Sequence, residues 1–230
     1  MGIKEDYYVQ PIPKNECNEW LVNKHYARRI PQITYAFGLY SSKERLLEGI
    51  ITFGNPCRHL NNGYGIFGGE IEVPTQELNR LCVNEGLPRN ALSFFVAQAL
   101  VLLPKPMCLV SYADKNQGHH GYIYQATNWL YTGVSTAQAI FIDKRTGKQV
   151  HRRTINSNFG TSDPDKLPDY IDYNMEEDGK FRYIKFLGSK KDVKHMKNHF
   201  KYGIFDYPKG QNDRYDASYD ANENQQMTLF

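Results

Sequence analysis

Two short segments, Ser111-Tyr112-Ala113-Asp114 and Gly118-His119-His120-Gly121-Tyr122-Ile123-Tyr124-Gln125-Ala126, bring together a carboxylate, two imidazoles and three phenols. An apolar run, Met107-Cys108-Leu109-Val110, precedes them, and Asn128-Trp129-Leu130-Tyr131-Thr132-Gly133 follows. This pattern predicts a buried strand, a polar loop, a short helix and an aromatic strand. The carboxyl end of a strand is where α/β folds bind ligands. Imidazoles beside a carboxylate and phenols suit proton transfer at a reacting group. Asp114 is expected to orient or deprotonate an attacking amine; the alternative is a turn-initiating cap. His119 and His120 are adjacent, so at most one is expected to line the site. Arg80, on a strand flanked by Leu78 and Leu81, is unusual because arginine is rarely buried without a partner. It is expected to meet phosphate or a carboxylate, or to form a structural ion pair. His195 and His199 are spaced to share a metal, but no nearby carboxylate or cysteine completes a set.

The elements that must position these groups follow from periodicity and punctuation. Pro13 to Arg29 reads as a helix, with Cys17, Trp20, Leu21 and Lys24 recurring on one side. Ile33–Tyr40 and Leu46–Phe53 read as a hairpin, and 54–69, rich in Gly and Asn, as a long surface loop. Gln76–Val83 reads as a strand, followed by a turn at 86–90 and an apolar helix from Ala91 closed by Pro104. A second hairpin is expected from Ala137–Ile142 and Lys148–Arg153 around Thr146-Gly147.

The chain has 230 residues, a formal net charge of +3 and four scattered cysteines. These bound it to one elaborated domain or one domain plus an appendage, with reduced, mostly buried cysteines expected rather than disulfides or a zinc site. The longest apolar run is too short to span a bilayer, and the amino terminus lacks a secretory h-region. A cytoplasmic protein without a membrane partner is expected. Charge segregates late in the chain, acidic from Asp163 to Asp178 and basic with interleaved aromatics from Lys180 to Lys209. The basic segment reads either as a solvated face or as a nucleic-acid surface carrying Lys190, Lys191, Lys194 and Lys197. The polar stretch from Gln211 to Gln225 reads as a flexible tail.

The order helix, hairpin, long strand turning into a helix, strand, helix and aromatic strand resembles the N-acetyltransferase (GNAT) fold. That resemblance implies an α/β (α+β) architecture: a GNAT-like mixed central sheet flanked by helices, with a basic C-terminal extension. It also implies acetyl-CoA, its pyrophosphate held on a helix amino terminus by Arg89, Asn90, Ala91 and Ser93. The turn departs from the family's Gly-rich pattern, since Gly86 stands alone. A narrower resemblance rests on Leu109–Gly133, on His25-Tyr26 followed by Pro31, and on Glu77-Leu78-Asn79-Arg80-Leu81. These segments, within Trp20–Thr154, look like the Mom family of phage DNA-modification proteins. The family resemblance implies a carbamoylmethyl group placed on the N6 amine of adenine, which protects phage DNA from restriction in the host bacterial cytoplasm.

Carried onto this sequence, the resemblance implies a site of Asp114, Tyr124 and His25 with Tyr112 and His119 or His120. Tyr124 would donate to a thiolate leaving group or to substrate, or else be a core tyrosine. Tyr26, Arg28 and Arg80 would meet double-stranded DNA. Iron is a second implied cofactor, with His25 as its ligand; otherwise His25 is a base or a surface residue near a helix end. The expected organisation is a catalytic domain over 1–155, an acidic-then-basic extension over 156–210 packed on it and contacting DNA, and a tail over 211–230. The final Gln226-Met227-Thr228-Leu229-Phe230 resembles the pentapeptide that docks on sliding clamps, with Gln226, Leu229 and Phe230 as contacts. Two rivals remain open: an ordinary acetyltransferase acting on a protein or small-molecule amine, and a non-catalytic DNA-binding accessory protein.

Overall fold

The computed structural model describes residues 2–88, 90–115, 118–136, 139–150, 152–175 and 179–210. A one-turn helix, α1 (Ile3–Asp6), leads into strand β1 (Tyr7–Pro11). A helical stretch begins at Lys14, includes α2 (Cys17–Glu19) and widens to π-helical winding over Trp20–Lys24. It buries Cys17, Trp20 and Leu21. The expected helix to Arg29 stops five residues early: His25 is extended, and Arg28 has a φ of 41°, incompatible with a right-handed helix.

The hairpin forms as its β-branched and aromatic residues predict. Its strands are β2 (Tyr35–Ser41) and β3 (Leu47–Gly54). The expected surface loop at 54–69 is instead partly core. Two helical turns, Arg58–Gly63 and α3 (Tyr64–Phe67), bury Leu60, Ile66 and Phe67. Isolated apolar residues among Gly and Asn carry no periodic signal, yet these three fill the sheet face. Strand β4 (Thr75–Val83) follows, then α4 (Ala91–Leu102), β5 (Met107–Ala113), α5 (Tyr122–Ala126) and β6 (Leu130–Val134).

The chain divides into two compact units, residues 1–133 with 182–230, and residues 134–181. In the smaller unit, β7 (Ala139–Asp143) pairs antiparallel with β8 (Lys148–Val150) and with β9 (Ile171–Met175). Helix α6 (Arg152–Phe159) buries Ile155, and Phe141 on β7 is also fully buried. The boundary expected at residue 155 falls inside α6.

In the larger unit, β10 (Phe181–Leu187) and α7 (Lys190–His199) complete the fold. The mixed sheet runs β1-β2-β3-β4-β5-β10-β6, antiparallel from β1 to β4 and parallel between β4 and β5. Two apolar clusters lie on one sheet face. Trp20, Leu21, Ile50 and Cys82 form one, and Leu60, Phe67, Cys108, Val110, Ile184, Phe186 and Met196 the other. The basic segment is therefore half core, with Met196 seating α7 while its lysines face out. All four cysteines are free thiols. No helix among the described residues is long and apolar enough to cross a membrane.

Met196→Ala should cost about 2–5 kcal/mol in urea unfolding, as for other buried methionines, against less than about 0.5 kcal/mol for exposed Lys197→Ala. Equal, small effects would show that α7 is not seated in the core.

Candidate active site

A one-residue irregularity in β4 sets up the site. Thr52 pairs with Arg80 and Phe53 with Leu78, so Asn79 is an extra residue opposite β3. Such bulges re-aim side chains and recur next to active sites. Glu77 pairs with Gly54 and Arg80 with Thr52, so the two end on one face although they are three residues apart. The bulge is held by side chains. Thr52 Oγ1 donates to Asn79 Oδ1 at 2.6 Å, and Asn79 Nδ2 donates to the Gln32 carbonyl at 3.0 Å.

His25 and Tyr26 end the helical segment on this same face. His25 N–H donates to the Trp20 carbonyl five residues back, at 2.8 Å. Its side chain is buried and its ring lies 4.3 Å from that of Tyr26. Tyr26 in turn meets the His119 ring edge-on at 5.8 Å. Burial, then the neighbouring Arg80 and His119, lower the His25 pKa to about 3. Ala27 N–H donates to His25 Nδ1 at 3.0 Å, which fixes a neutral imidazole with its proton on Nε2. His25 is thus built as a neutral donor. Service as a base or as an Nδ1 metal ligand would strip the Ala27 amide of its acceptor.

Arg80 lies beside these groups. Burial and then Arg29 oppose its charge, while Tyr26 and Glu77 favour it. Its Nη1 donates to the Asn79 carbonyl, and its buried Nε–H has no acceptor among the described residues. The structural ion pair open to Arg80 from sequence is not formed among the described residues. An orphaned guanidinium donor beside a neutral imidazole is ready for an anionic or carbonyl oxygen.

The loop after β5 supplies the rest. His119 N–H donates to the Asp114 carbonyl at 3.1 Å, which turns the chain back over the strand end. His119 faces Tyr26 and His25, whereas the His120 ring packs against Gly210, so only one of the adjacent histidines joins the cluster. The His120 carbonyl accepts from Tyr183 Oη at 2.5 Å and from Gln125 Nε2 at 3.2 Å. Tyr124 sits in α5 and is buried against Trp129 and Tyr183, with ring separations of 5.2 and 4.9 Å. Burial pushes its phenol pKa up, so it remains protonated. Ser111 Oγ lies 2.8 Å from the Leu78 carbonyl and 2.7 Å from Tyr124 Oη. When Ser111 donates to Leu78, the phenol donates to Ser111.

Tyr112, one residue from Ser111, points to the opposite sheet face, beside Cys57, Glu77, Arg182 and Tyr202. Arg28 is exposed at the edge of the His25 turn. Asn90 and Ser93 flank the start of α4, with Ser93 Oγ donating to the Asn90 carbonyl at 3.1 Å. Ala91 is fully buried and can offer a ligand only its backbone. Arg89, Gln226, Leu229 and Phe230 lie outside the described residues. Lys190, Lys191, Lys194 and Lys197 line the exposed side of α7. No group of three His, Cys, Asp or Glu able to hold a metal occurs among the described residues. Sequence reasoning missed Ser111 and Thr52 as positioning groups, although each is a lone hydroxyl in an apolar strand.

The unfolded chain protonates His25 near pH 6.5, the folded chain only near 3. Between these values the unfolded state binds more protons, so this contribution to stability is complete above about pH 6.5 and lost as pH falls toward 3. From pH 7 to pH 5 the wild type should lose about 1–2 kcal/mol more than His25→Asn in urea unfolding. Parallel losses would contradict a buried neutral imidazole.

The chain matches the model of the Mom protein family over residues 6–209. It is 28% identical over 180 residues to methylcarbamoylase Mom of Escherichia phage Mu, a match that spans 73% of this chain and 70% of that protein. The segments that build the cluster, from His25 to Tyr124, fall inside the matched range, and the chain belongs to the Mom protein family.

Proposed function

We propose that this protein modifies the N6 amine of adenine in double-stranded phage DNA, adding a carbamoylmethyl-type group that shields the DNA from host restriction. The observation that carries the reading is the meeting of His25, Tyr26, Arg80 and His119 at the end of the strand bearing Asp114, in a Mom-family chain. The similarity to a methylcarbamoylase supports a group-transfer enzyme.

The chemistry assigns each residue a task. The N6 lone pair is delocalised into the adenine ring, and in duplex DNA the amine is paired. The base must leave the stack, and the rings of Tyr26 and His119 suit a wall against it. Joining the methyl carbon of an acetyl unit to N6 forms one C–N bond and breaks one N–H and one C–H bond, so it requires a two-electron oxidant as co-reactant. The terminal amide forms when an ammonia-level nitrogen displaces the CoA thiol. Asp114, at the end of β5, is proposed as the carboxylate that takes the N6 proton. His25, neutral and protonated on Nε2, acts as a hydrogen-bond donor. Arg80 Nε–H supplies a donor for a phosphate or carbonyl oxygen. Tyr124, held as a phenol by burial and Ser111, shapes the strand end from the opposite side.

Acetyl-CoA is the proposed source of the group, and the start of α4 fits it. The amides of Leu92 and Ser93, in the first turn of α4, lack helical acceptors and suit an anion. When bound, the cofactor would supply an activated two-carbon unit. Iron finds no such fit, since no three-ligand cluster forms among the described residues and His25 Nδ1 is already engaged. Lys190, Lys191, Lys194 and Lys197 are proposed phosphate contacts. Gln226, Leu229 and Phe230 are proposed to dock on a sliding clamp, which would raise the effective concentration at replicating DNA.

Nucleoside mass spectrometry of DNA from cells expressing the protein should show a modified deoxyadenosine. Asp114→Ala should abolish it and Tyr124→Phe should reduce it, with both variants within about 1–2 kcal/mol of wild-type stability. Unmodified DNA with turnover of acetyl-CoA would support an acetyltransferase acting on another amine. Full modification by Asp114→Ala would overturn the catalytic assignment.

A further inference from the structure

Arg182 is the second arginine that the sheet holds without a carboxylate. It opens the part of β10 that belongs to the larger unit, and its side chain shares a face with Ile184 and Phe186, on the cluster side of the sheet. Its Nε donates to Thr132 Oγ1 at 2.9 Å and its Nη2 to the Thr132 carbonyl at 3.0 Å. The guanidinium carbon lies over the Tyr202 ring, 3.7 Å from its centroid. Neighbouring Tyr112 feels its charge. Two hydrogen bonds and one stacking contact fix the fork, and Nη1 has no partner among the described residues. No ion pair to Arg182 forms among the described residues either. The acid that also acts on Tyr112 is Glu77, which sits on β4 with β5 lying between it and β10.

A guanidinium fixed in this way has the properties that phosphate recognition uses. It is preorganised, so little side-chain entropy is lost on binding, and its planar fork matches a phosphate edge. It also belongs to a larger cationic field. Met196 seats α7 on the same cluster that Ile184 and Phe186 join. The exposed side of α7 carries Lys190, Lys191, Lys194 and Lys197. The helix's one acid, Asp192, is consumed in a capping box: it accepts from Ser189 N–H at 2.8 Å while Ser189 Oγ accepts from Asp192 N–H at 3.2 Å. Arg80, on β4, points to this face as well.

We propose that Arg182, on its Tyr202 platform, is a phosphate-gripping site that holds one phosphate of the DNA strand at the margin of the cluster, beside Tyr112 and Thr132. The inference rests on the reading that DNA is the substrate. Arg182 acts on strand binding and takes no part in the chemistry. Removing its charge should therefore weaken binding to any sequence and remove one phosphate contact.

The test is fluorescence anisotropy with a labelled duplex of mixed sequence, titrated against the full chain over a salt series, with thermal melts of each variant alongside. Arg182→Gln should bind about tenfold more weakly and reduce the log–log salt slope by about 0.9, the value for one lost phosphate contact. Arg182→Lys should keep the slope but lose affinity, because charge survives while the fork and the stacking do not. Tyr202→Leu, which leaves the guanidinium in place, should weaken binding without changing the slope. If Arg182→Gln and Tyr202→Leu both bind as the wild type does, the phosphate site is wrong while the DNA reading stands. A wild-type chain with no salt-dependent affinity for duplex DNA would overturn the DNA reading and the phosphate site together.

Discussion

Burial of His25 beside Arg80 is the constraint on which the rest of the site depends. A low-dielectric pocket cannot hold two uncompensated cations at contact. Arginine does not give up its proton at any working pH, so the imidazole must. The Ala27 amide completes the arrangement by claiming Nδ1, which leaves a single tautomer. One face of the sheet thus ends in a neutral Nε2–H donor, an orphaned guanidinium Nε–H, and the rings of Tyr26 and His119. The Arg80 Nε–H, buried without an acceptor among the described residues, calls for a group that accepts. A nucleic-acid substrate is rich in such acceptors, which is why the polarity of the site and the proposed substrate agree.

The surrounding fold can be understood as the means of holding that arrangement still. The extra residue at Asn79 turns Arg80 onto the helical side, and Thr52 and Gln32 lock it there. The π-helical turn at Trp20–Lys24 delivers His25 to the same spot by widening the last turn before the chain breaks. At the strand end, the His119–His120 loop is fastened from the other side. Tyr183 and Gln125 hold the His120 carbonyl, and Gln125 also reaches the Pro208 carbonyl at 3.3 Å. Gly121 is the one residue type that fits between them: its φ is 80°, and a Cβ would run into the Tyr183 ring.

The local pattern of the chain was legible and its long-range assembly was not. The hairpin of β2 and β3, the strands β4 and β5 and the helices α4 and α5 appear where alternation, apolar runs and turn residues place them. Each is specified by neighbours in sequence. The insertion of β10 between β5 and β6 is specified by packing across some seventy residues of chain from β5, and nothing local announces it. In sequence Arg182 is only one more cation in the basic run from Lys180 to Lys209. Its role becomes visible only once Thr132 and Tyr202 are seen around it. The bulge at Asn79 is equally silent, because one extra residue leaves the strand's composition unchanged. Leu60, Ile66 and Phe67 were hidden by their Gly- and Asn-rich surroundings, although burial of such residues is what hydrophobicity alone would demand. His119 and His120 could not be told apart until the loop's hydrogen bonds fixed which ring turns inward.

The account stands or falls on Arg80 and its unpaired Nε–H. Nitrogen-15-edited spectra can follow the arginine Nε–H groups directly, with Arg80→Lys serving to assign the Arg80 signal. Addition of an adenine-containing duplex should shift that signal and slow its exchange with water, as the donor acquires a phosphate or carbonyl acceptor. An Arg80 Nε–H signal that stays unmoved at saturating DNA would contradict the central claim that this face of the sheet receives the substrate.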